Sequence, residues 1–301
     1  MLVFVVGAEG QLARSLAERA FGRHGVSLIH GTRPGFDLLR PDEVEAAVVA
    51  AKPDLVVNAA AYTAVDKAEA EADLAFGVND RGAAALARAA TRLGVPIIHI
   101  STDYVYSGQK AGAYVETDAT GPLGVYGKSK LAGEKSVAAA NAWHIILRTS
   151  WVYSPFGANF VKTMLRLGGQ RDSLGIVSDQ VGSPTSALDL ADCVLAVGDR
   201  LLQDKDVSGV YHVAGTGYAS WFDFASEIFN IQSSMGYRVP VVSPIQTTDY
   251  PTAAQRPANS RLDCSKLKTA FGYAMPAWQL SLRDCMVRLR DDAADGIWRL
   301  K

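Results

Sequence analysis

The sequence predicts an α/β protein built on a doubly wound parallel sheet, with a smaller α+β lobe in its C-terminal half. Short apolar runs alternate with longer helical patterns through residues 1–150, and runs such as L-V-V-N at 55–58 and I-I-H-I at 97–100 are apolar on both faces. A strand covered by helices on each side needs such a run, whereas a half-exposed strand alternates apolar with polar residues. A third sign is the glycine turn G-A-E-G at 7–10, placed directly after the first run.

In order, the strand Leu2–Val6 precedes a helix from about Gln11 to Arg23, and Val26–His30 leads to a helix over Asp42–Ala51. Leu55–Val57 precedes a long Ala-rich stretch from Lys67 to Leu93. Pro96–Ile100 leads, after a loop, to a helix starting near Tyr126, and Ile145–Leu147 follows. Beyond residue 150, helices near Asn159–Leu167, Leu188–Leu202 and Trp221–Phe229 are separated by loops, S-D-Q-V-G-S-P-T at 178–185 and T-D-Y-P-T-A-A-Q-R-P-A-N-S at 248–260. Loops of this kind in a compact enzyme carry binding residues more often than they act as linkers. The expected division is a dinucleotide-binding domain over 1–150, with segments near 174–203 returning to it, and a substrate lobe made mainly of 151–301.

The 301 residues are 49% hydrophobic, ample for a core, and 30 basic against 31 acidic side chains leave a net charge of −1. That balance implies no general attraction to nucleic acid or to an anionic membrane. Cys193, Cys264 and Cys285 are odd in number and lack CxxC spacing, which predicts a reducing compartment with neither a disulfide framework nor a zinc site. The opening M-L-V-F-V-V-G has no basic leader and ends in glycine, so it reads as a strand and not as a signal peptide. No run of about 18 uncharged apolar residues predicts a membrane helix. A cytoplasmic protein is expected.

The turn Gly7-Ala8-Glu9-Gly10-Gln11-Leu12-Ala13 opens the first helix. Glycine at 7 permits the tight turn, and glycine at 10 lets the backbone approach a pyrophosphate drawn to the free N–H groups of the helix start. At the first strand–helix junction of an alternating chain, it predicts a dinucleotide in a Rossmann-type fold. The second strand ends in V-S-L-I-H-G-T-Arg33 with no acidic residue for a ribose 2′-hydroxyl. Arg33 can meet a 2′-phosphate instead, so NADPH is expected, with NADH as the alternative.

V-Y-G-K-S-K at 125–130 places Tyr126 and Lys130 four residues apart, on one face of a helix. An ammonium beside a phenol lowers its pKa from about 10 and suits it to general acid catalysis. Taken alone, the pair also fits an idle surface contact. Context favours chemistry: Ser101-Thr102-Asp103-Tyr104 follows the fourth strand, 24 residues before Tyr126 at Thr102, and parallel sheets bind ligands at their carboxyl edge.

With Asn58-Ala-Ala-Ala61 after the third strand, this set resembles the extended short-chain dehydrogenase/reductase family, and within it the reductases of dTDP-linked 4-keto-deoxysugars. The resemblance covers nearly the whole chain. Its segments are N-A-A-A-Y-T-A-V-D-K-A-E at 58–69, S-T-D-Y-V-Y at 101–106, E-T-D-A-T-G-P-L at 116–123 and V-Y-G-K-S-K-L-A-G-E at 125–134. Further segments are R-T-S-W-V-Y at 148–153, N-F-V-K-T-M-L at 159–165, D-Q-V-G-S-P-T at 179–185 and Y-P-T-A-A-Q-R-P-A-N-S-R-L at 250–262.

The resemblance implies hydride transfer from a nicotinamide to the 4-keto carbon of a 6-deoxyhexulose carried on dTDP, as in the last step of dTDP-L-rhamnose synthesis. Tyr126 would protonate the developing alkoxide, Thr102 would bond the same oxygen, and Lys130 would tune Tyr126 and hold the nicotinamide ribose. Cofactor contacts are implied for Gly7, Glu9, Gly10, Gln11, Leu12, Arg33, Asp37, Asn58, Ala59, Ala60, Ala61 and Tyr62, besides Tyr126 and Lys130. Substrate contacts are implied for Thr102, Asp103, Tyr104, Tyr126, Trp151, Asn159, Arg256 and Asn259. For Trp151 the competing reading is core packing, and for Arg256 it is a structural salt bridge. Some family members hold magnesium at a dimer interface through two glutamates; the matching positions here are Ser15 and Leu188, which cannot replace carboxylates for a hard cation. No metal, and a monomer or weak homodimer, are therefore expected. The rival readings are an epimerase or dehydratase on the same scaffold, a ketoreductase of another deoxysugar, and a non-catalytic regulatory subunit like that of methionine adenosyltransferase. The dehydratase reading wants an acid after Thr102-Asp103, where Tyr104 stands.

Overall fold

A computed structural model describes residues 1–292. In chain order the first half runs β1 (Leu2–Val6), α1 (Gln11–Ala20), β2 (Ser27–Gly31), α2 (Pro41–Ala51), β3 (Leu55–Asn58), α3 (Val65–Ala68), α4 (Ala72–Phe76), α5 (Ala83–Leu93), β4 (Ile97–Thr102), α6 (Val125–Ala140) and β5 (His144–Thr149). The rest runs β6 (Val152–Tyr153), α7 (Phe160–Gly168), β7 (Ser173–Val177), β8 (Val181–Gly182), β9 (Thr185–Ser186), α8 (Ala187–Gln203), β10 (Gly209–His212), β11 (Ala219–Ser220), α9 (Trp221–Ser234), β12 (Val241–Ile245), α10 (Ser265–Phe271) and α11 (Trp278–Asp291).

Six parallel strands form the central sheet in the order β10-β5-β4-β3-β1-β2. Alternate side chains of β1 feed two cores. Val3 and Val5 pack with Leu16 of α1 and Val194 of α8. Phe4 and Val6 pack with Val44 of α2, Leu86 of α5 and Val137 of α6. This two-sided burial is why the strands read as unbroken apolar runs. The chain moves one way from β1 to β2 and the other way from β3 onward, so the order reverses between β1 and β3. Ligands of open α/β sheets bind at the carboxyl ends beside that point.

A third core joins α7, α9 and α11 through Met164, Leu165, Phe224, Ile228, Leu282 and Met286. It forms the smaller α+β lobe, in which β7 pairs with β12. Of residues 174–203, β7 thus lies in the lobe, whereas α8 packs on α1 under the sheet. Among the described residues no helix is long and apolar enough to cross a membrane.

Two features lie beyond the sequence reading. The Ala-rich stretch 67–93 divides into α3, α4, a π-helical segment Gly77–Gly82 and α5. Close approach explains the break: a Cβ on Gly82 would stand 2.7 Å from the Leu38 Cβ, and one on Gly133 of α6 only 2.0 Å from the Asn79 carbonyl. The sixth strand, β10, was not foreseen, because G-V-Y-H is too short to show a period.

Candidate active site

The glycine turn sits at the reversal point. Gly7 has φ +94°, a region open to glycine, and its N–H donates to the Gly31 carbonyl at 2.8 Å. Gly10 is the N-cap of α1 with no side-chain cap, so the first helical N–H groups stay available, and a Cβ there would find no atom within 4 Å. A backbone that can be approached this closely, ending in free N–H groups, fits the phosphates of a dinucleotide. Glu9 is exposed, and Leu12 buries its side chain in the core, leaving only its amide for a ligand. The Gln11 side chain turns away to the lobe, donating to the Val152 carbonyl at 3.3 Å and accepting from Ser154 and Asn159.

Arg33 is exposed; its carbonyl accepts from the Thr32 hydroxyl at 3.0 Å, and its guanidinium has no partner among the described residues. Asp37 holds its own loop by accepting the Leu39 N–H at 3.0 Å. His30, not singled out from sequence, has Nδ1 2.9 Å from the Gly7 carbonyl and steadies the turn. After β3, Asn58 Oδ1 accepts the Ala60 N–H at 3.3 Å, with Ala59, Ala60 and Ala61 partly buried. The Tyr62 phenol donates to Glu71, and its backbone is clamped by Asn79, whose amide also donates to Ser129 of α6 at 2.9 Å. Asn79 therefore ties the post-β3 loop to the helix of Tyr126 and Lys130.

Thr102 ends β4, and α6 presses on the turn that follows; a Cβ on Gly127 would stand 2.2 Å from the Tyr104 carbonyl. This tight seat brings Tyr126 beside Thr102, whose side chain acts on the phenol. Thr102 donates to Asp103 Oδ1 at 3.0 Å and accepts the Tyr104 N–H at 3.2 Å, while the Tyr104 ring meets Tyr126 edge-on at 5.5 Å. Burial raises the Asp103 carboxyl to about 6, and its Oδ2 has no hydrogen-bond partner.

The expected reason for Tyr126 reactivity is corrected. Burial pushes its phenol up to about 12, with the Thr102 side chain pulling the other way, and Lys130 is not what sets it. Lys130 shares the helix face but is itself buried, donating to the Ile100 carbonyl at 2.7 Å with His99 Nε2 at 3.3 Å. Burial brings this lysine down to about 8, opposed by Glu134.

Beneath the pair lies a network that sequence reading missed. Glu134, one turn after Lys130, accepts from Ser101 of β4 and from Arg148 of β5 through Nε at 2.9 Å and Nη2 at 2.6 Å. Arg148 donates onward to the Tyr106 hydroxyl at 2.7 Å, which meets His212 Nε2 of β10 at 2.7 Å. All five side chains are buried. The available signal was polar residues inside otherwise apolar strands, His99 in I-I-H-I among them.

The lobe residues fare differently. Asn159 caps α7, accepting the Lys162 N–H, and its amide donates to Gln11, Ser154 and Phe156. Asn259 donates to the Lys110 and Gly112 carbonyls and accepts twice from Arg261. In both, every amide hydrogen is used inside the chain, so each braces its own loop. Arg256 turns its fork to Asp66, at 2.9 and 3.3 Å. Trp151 has φ +49° and stacks on Trp221 with centroids 3.5 Å apart and planes 6° apart. It is only partly buried. Ser15 donates to the Gln11 carbonyl within α1, and Leu188 begins α8.

Fold and site together define a nucleotide-binding oxidoreductase scaffold of the extended short-chain dehydrogenase/reductase class. The family model described as "RmlD substrate binding domain" matches residues 1–291, and the chain belongs to that family. It is 49% identical to a dTDP-4-dehydrorhamnose reductase of Sinorhizobium fredii over 94% of this chain and 96% of the relative. A crystal structure of a dTDP-4-dehydrorhamnose reductase from Clostridium acetobutylicum superposes with a TM-score of 0.90 at 39% identity, over 96% of this chain and 100% of that one. One from Bacillus anthracis in complex with NADP has a TM-score of 0.88 at 35% identity, covering 95% and 99%.

Proposed function

We propose that this chain reduces the 4-keto group of dTDP-4-dehydro-6-deoxy-L-mannose (dTDP-4-dehydrorhamnose) to give dTDP-L-rhamnose, with NADPH as reductant. The observation that carries the proposal is Tyr126 of α6 seated against the turn after β4, with Thr102 at the carboxyl end of that strand and the glycine turn after β1 two strands away. The matches to dTDP-4-dehydrorhamnose reductases over nearly the whole chain support the substrate. The B. anthracis relative in complex with NADP supports the cofactor. The sheet and its covering helices are the dinucleotide-binding part, and the lobe built mainly from residues beyond 150 is the sugar-nucleotide part.

Gly7, Gly10 and the α1 amides hold the dinucleotide phosphates, the Asn58–Tyr62 loop lies along the cofactor, and Arg33 takes the 2′-phosphate. The bound nicotinamide supplies the hydride to the sugar C4. As the ketone oxygen gains charge, Thr102 turns its hydroxyl hydrogen from Asp103 to that oxygen, and Tyr126 transfers its phenolic proton to it. A phenol raised to about 12 keeps that proton at neutral pH, so the acid form is present when needed. Asp103, Tyr104 and Trp151 flank the sugar, and Arg256 faces the diphosphate when it leaves Asp66. Ser15 and Leu188 offer no carboxylate for a bridging metal, which suits a monomer or weak homodimer, and three unpaired cysteines suit the cytoplasm. Incubation with dTDP-4-dehydro-L-rhamnose and NADPH should yield dTDP-L-rhamnose. Tyr126→Phe should lower turnover roughly 100-fold or more with cofactor affinity retained. Wild-type turnover in that variant would remove Tyr126 as the acid.

A further inference from the structure

His99 lies in the middle of the sheet, fully buried, and both ring nitrogens are engaged. Nδ1 is 3.0 Å from the Asn58 amide nitrogen, its register neighbour on β3. Asn58 Oδ1 is committed to the Ala60 N–H, so an N–H of that amide points at the ring and Nδ1 must present its lone pair. Burial, followed by the nearby charge of Lys130, keeps His99 neutral. A neutral imidazole with a lone pair on Nδ1 carries its proton on Nε2. That proton faces Lys130 Nζ at 3.3 Å, while the Ile100 carbonyl takes another Lys130 hydrogen at 2.7 Å. An ammonium has only donors, so it opposes the Nε2–H; an amine can accept that hydrogen through its lone pair.

We propose that His99 is a positioning residue for the reaction: anchored by Asn58, it offers its Nε2 proton to Lys130 Nζ and so favours the amine over the ammonium form of that lysine. Glu134, one turn along α6, pulls the other way but is shared with Arg148 of β5 and Ser101 of β4. Other titratable neighbours are His144 of β5, which acts on His99, and Asp103, Tyr104 and Tyr126 around Thr102. His99 and Glu134 thus act as opposed settings on one lysine, and with Lys130 holding the nicotinamide ribose through its ammonium hydrogens, the alkaline limit of the enzyme reports their balance. The kinetic consequence rests on the reductase reading; the proton's position on the ring does not.

The test has two arms. In protein labelled with 15N in its imidazoles, His99 (assigned by its loss in His99→Gln) should show a pyridine-type Nδ1 and a pyrrole-type Nε2 from pH 6 to 9. The reverse tautomer, or an imidazolium, overturns the proposal whether or not the chain reduces any ketone. In the kinetic arm, His99→Leu removes the opposing N–H, and the alkaline limb of kcat/KM should move up by roughly one pH unit. His99→Gln, which can still accept from Asn58 and donate to Lys130, should restore the wild-type limb to within a few tenths of a unit. An unmoved or lowered limb in His99→Leu overturns the proposal. Failure of wild-type protein to reduce the dTDP-linked ketone refutes the proposed function and leaves the tautomer to decide His99.

Discussion

Replacing Glu134 with Ala should destabilise the protein and slow it together. Glu134 and Arg148 bury their side chains to 4% and 5% exposure, and the carboxylate receives two Arg148 donors as well as the Ser101 hydroxyl. In the variant the guanidinium stays in the centre of the sheet with Nε and Nη2 unpaired, retaining only its Nη1 bond to Tyr106. Removing one partner of a buried pair costs about 3–5 kcal/mol, because a charge is left uncompensated. Against a total of roughly 5–15 kcal/mol this is a large share. At about 2 °C per kcal/mol for a chain of this size, Tm should fall by roughly 6–10 °C. The double variant Glu134→Met with Arg148→Leu should recover much of that loss, since no buried charge remains. The assay is thermal unfolding of the three proteins at pH 7.5, read beside ketone reduction. Because Glu134 stands one turn from Lys130, turnover of Glu134→Ala at 25 °C should also drop. A Tm within 2 °C of wild type would refute the claim that this pair holds α6 to the sheet.

Asp103 makes a pH-dependent contribution of unusual sign. Its folded pKa, about 6, lies above the ordinary value of 3.8, so its contribution to stability is full below about pH 4 and is lost as pH rises through 6. The loss reaches about 3 kcal/mol by pH 8. Asp103→Asn should therefore gain Tm relative to wild type as pH rises from 4 to 7, and a constant difference would show that the carboxyl titrates normally. Arg33→Ala should raise KM for NADPH about fivefold and leave KM for NADH unchanged, as loss of one exposed charge-assisted contact predicts. Equal effects on both cofactors would move the 2′-phosphate site elsewhere.

The parts legible in the sequence are those set by local spacing. Alternating apolar runs and helical periods yielded the parallel sheet because a strand between two helix layers must be apolar on both faces, whatever its neighbours are. Gly7 and Gly10 were readable because a sharp turn into a helix start is a local backbone requirement, and φ +94° at Gly7 agrees. Four-residue spacing put Tyr126 and Lys130 on one helix face for the same reason. Which groups those side chains meet is another matter. Lys130 bonds to β4, 30 residues away, and Arg256 finds Asp66 across 190 residues. Asn159 and Asn259 give their amide hydrogens to partners that no local spacing places beside them. Hydrogen-bond saturation and the desolvation that moves Tyr126, Lys130 and Asp103 depend on every atom within a few ångströms, and only the folded chain assembles those neighbours.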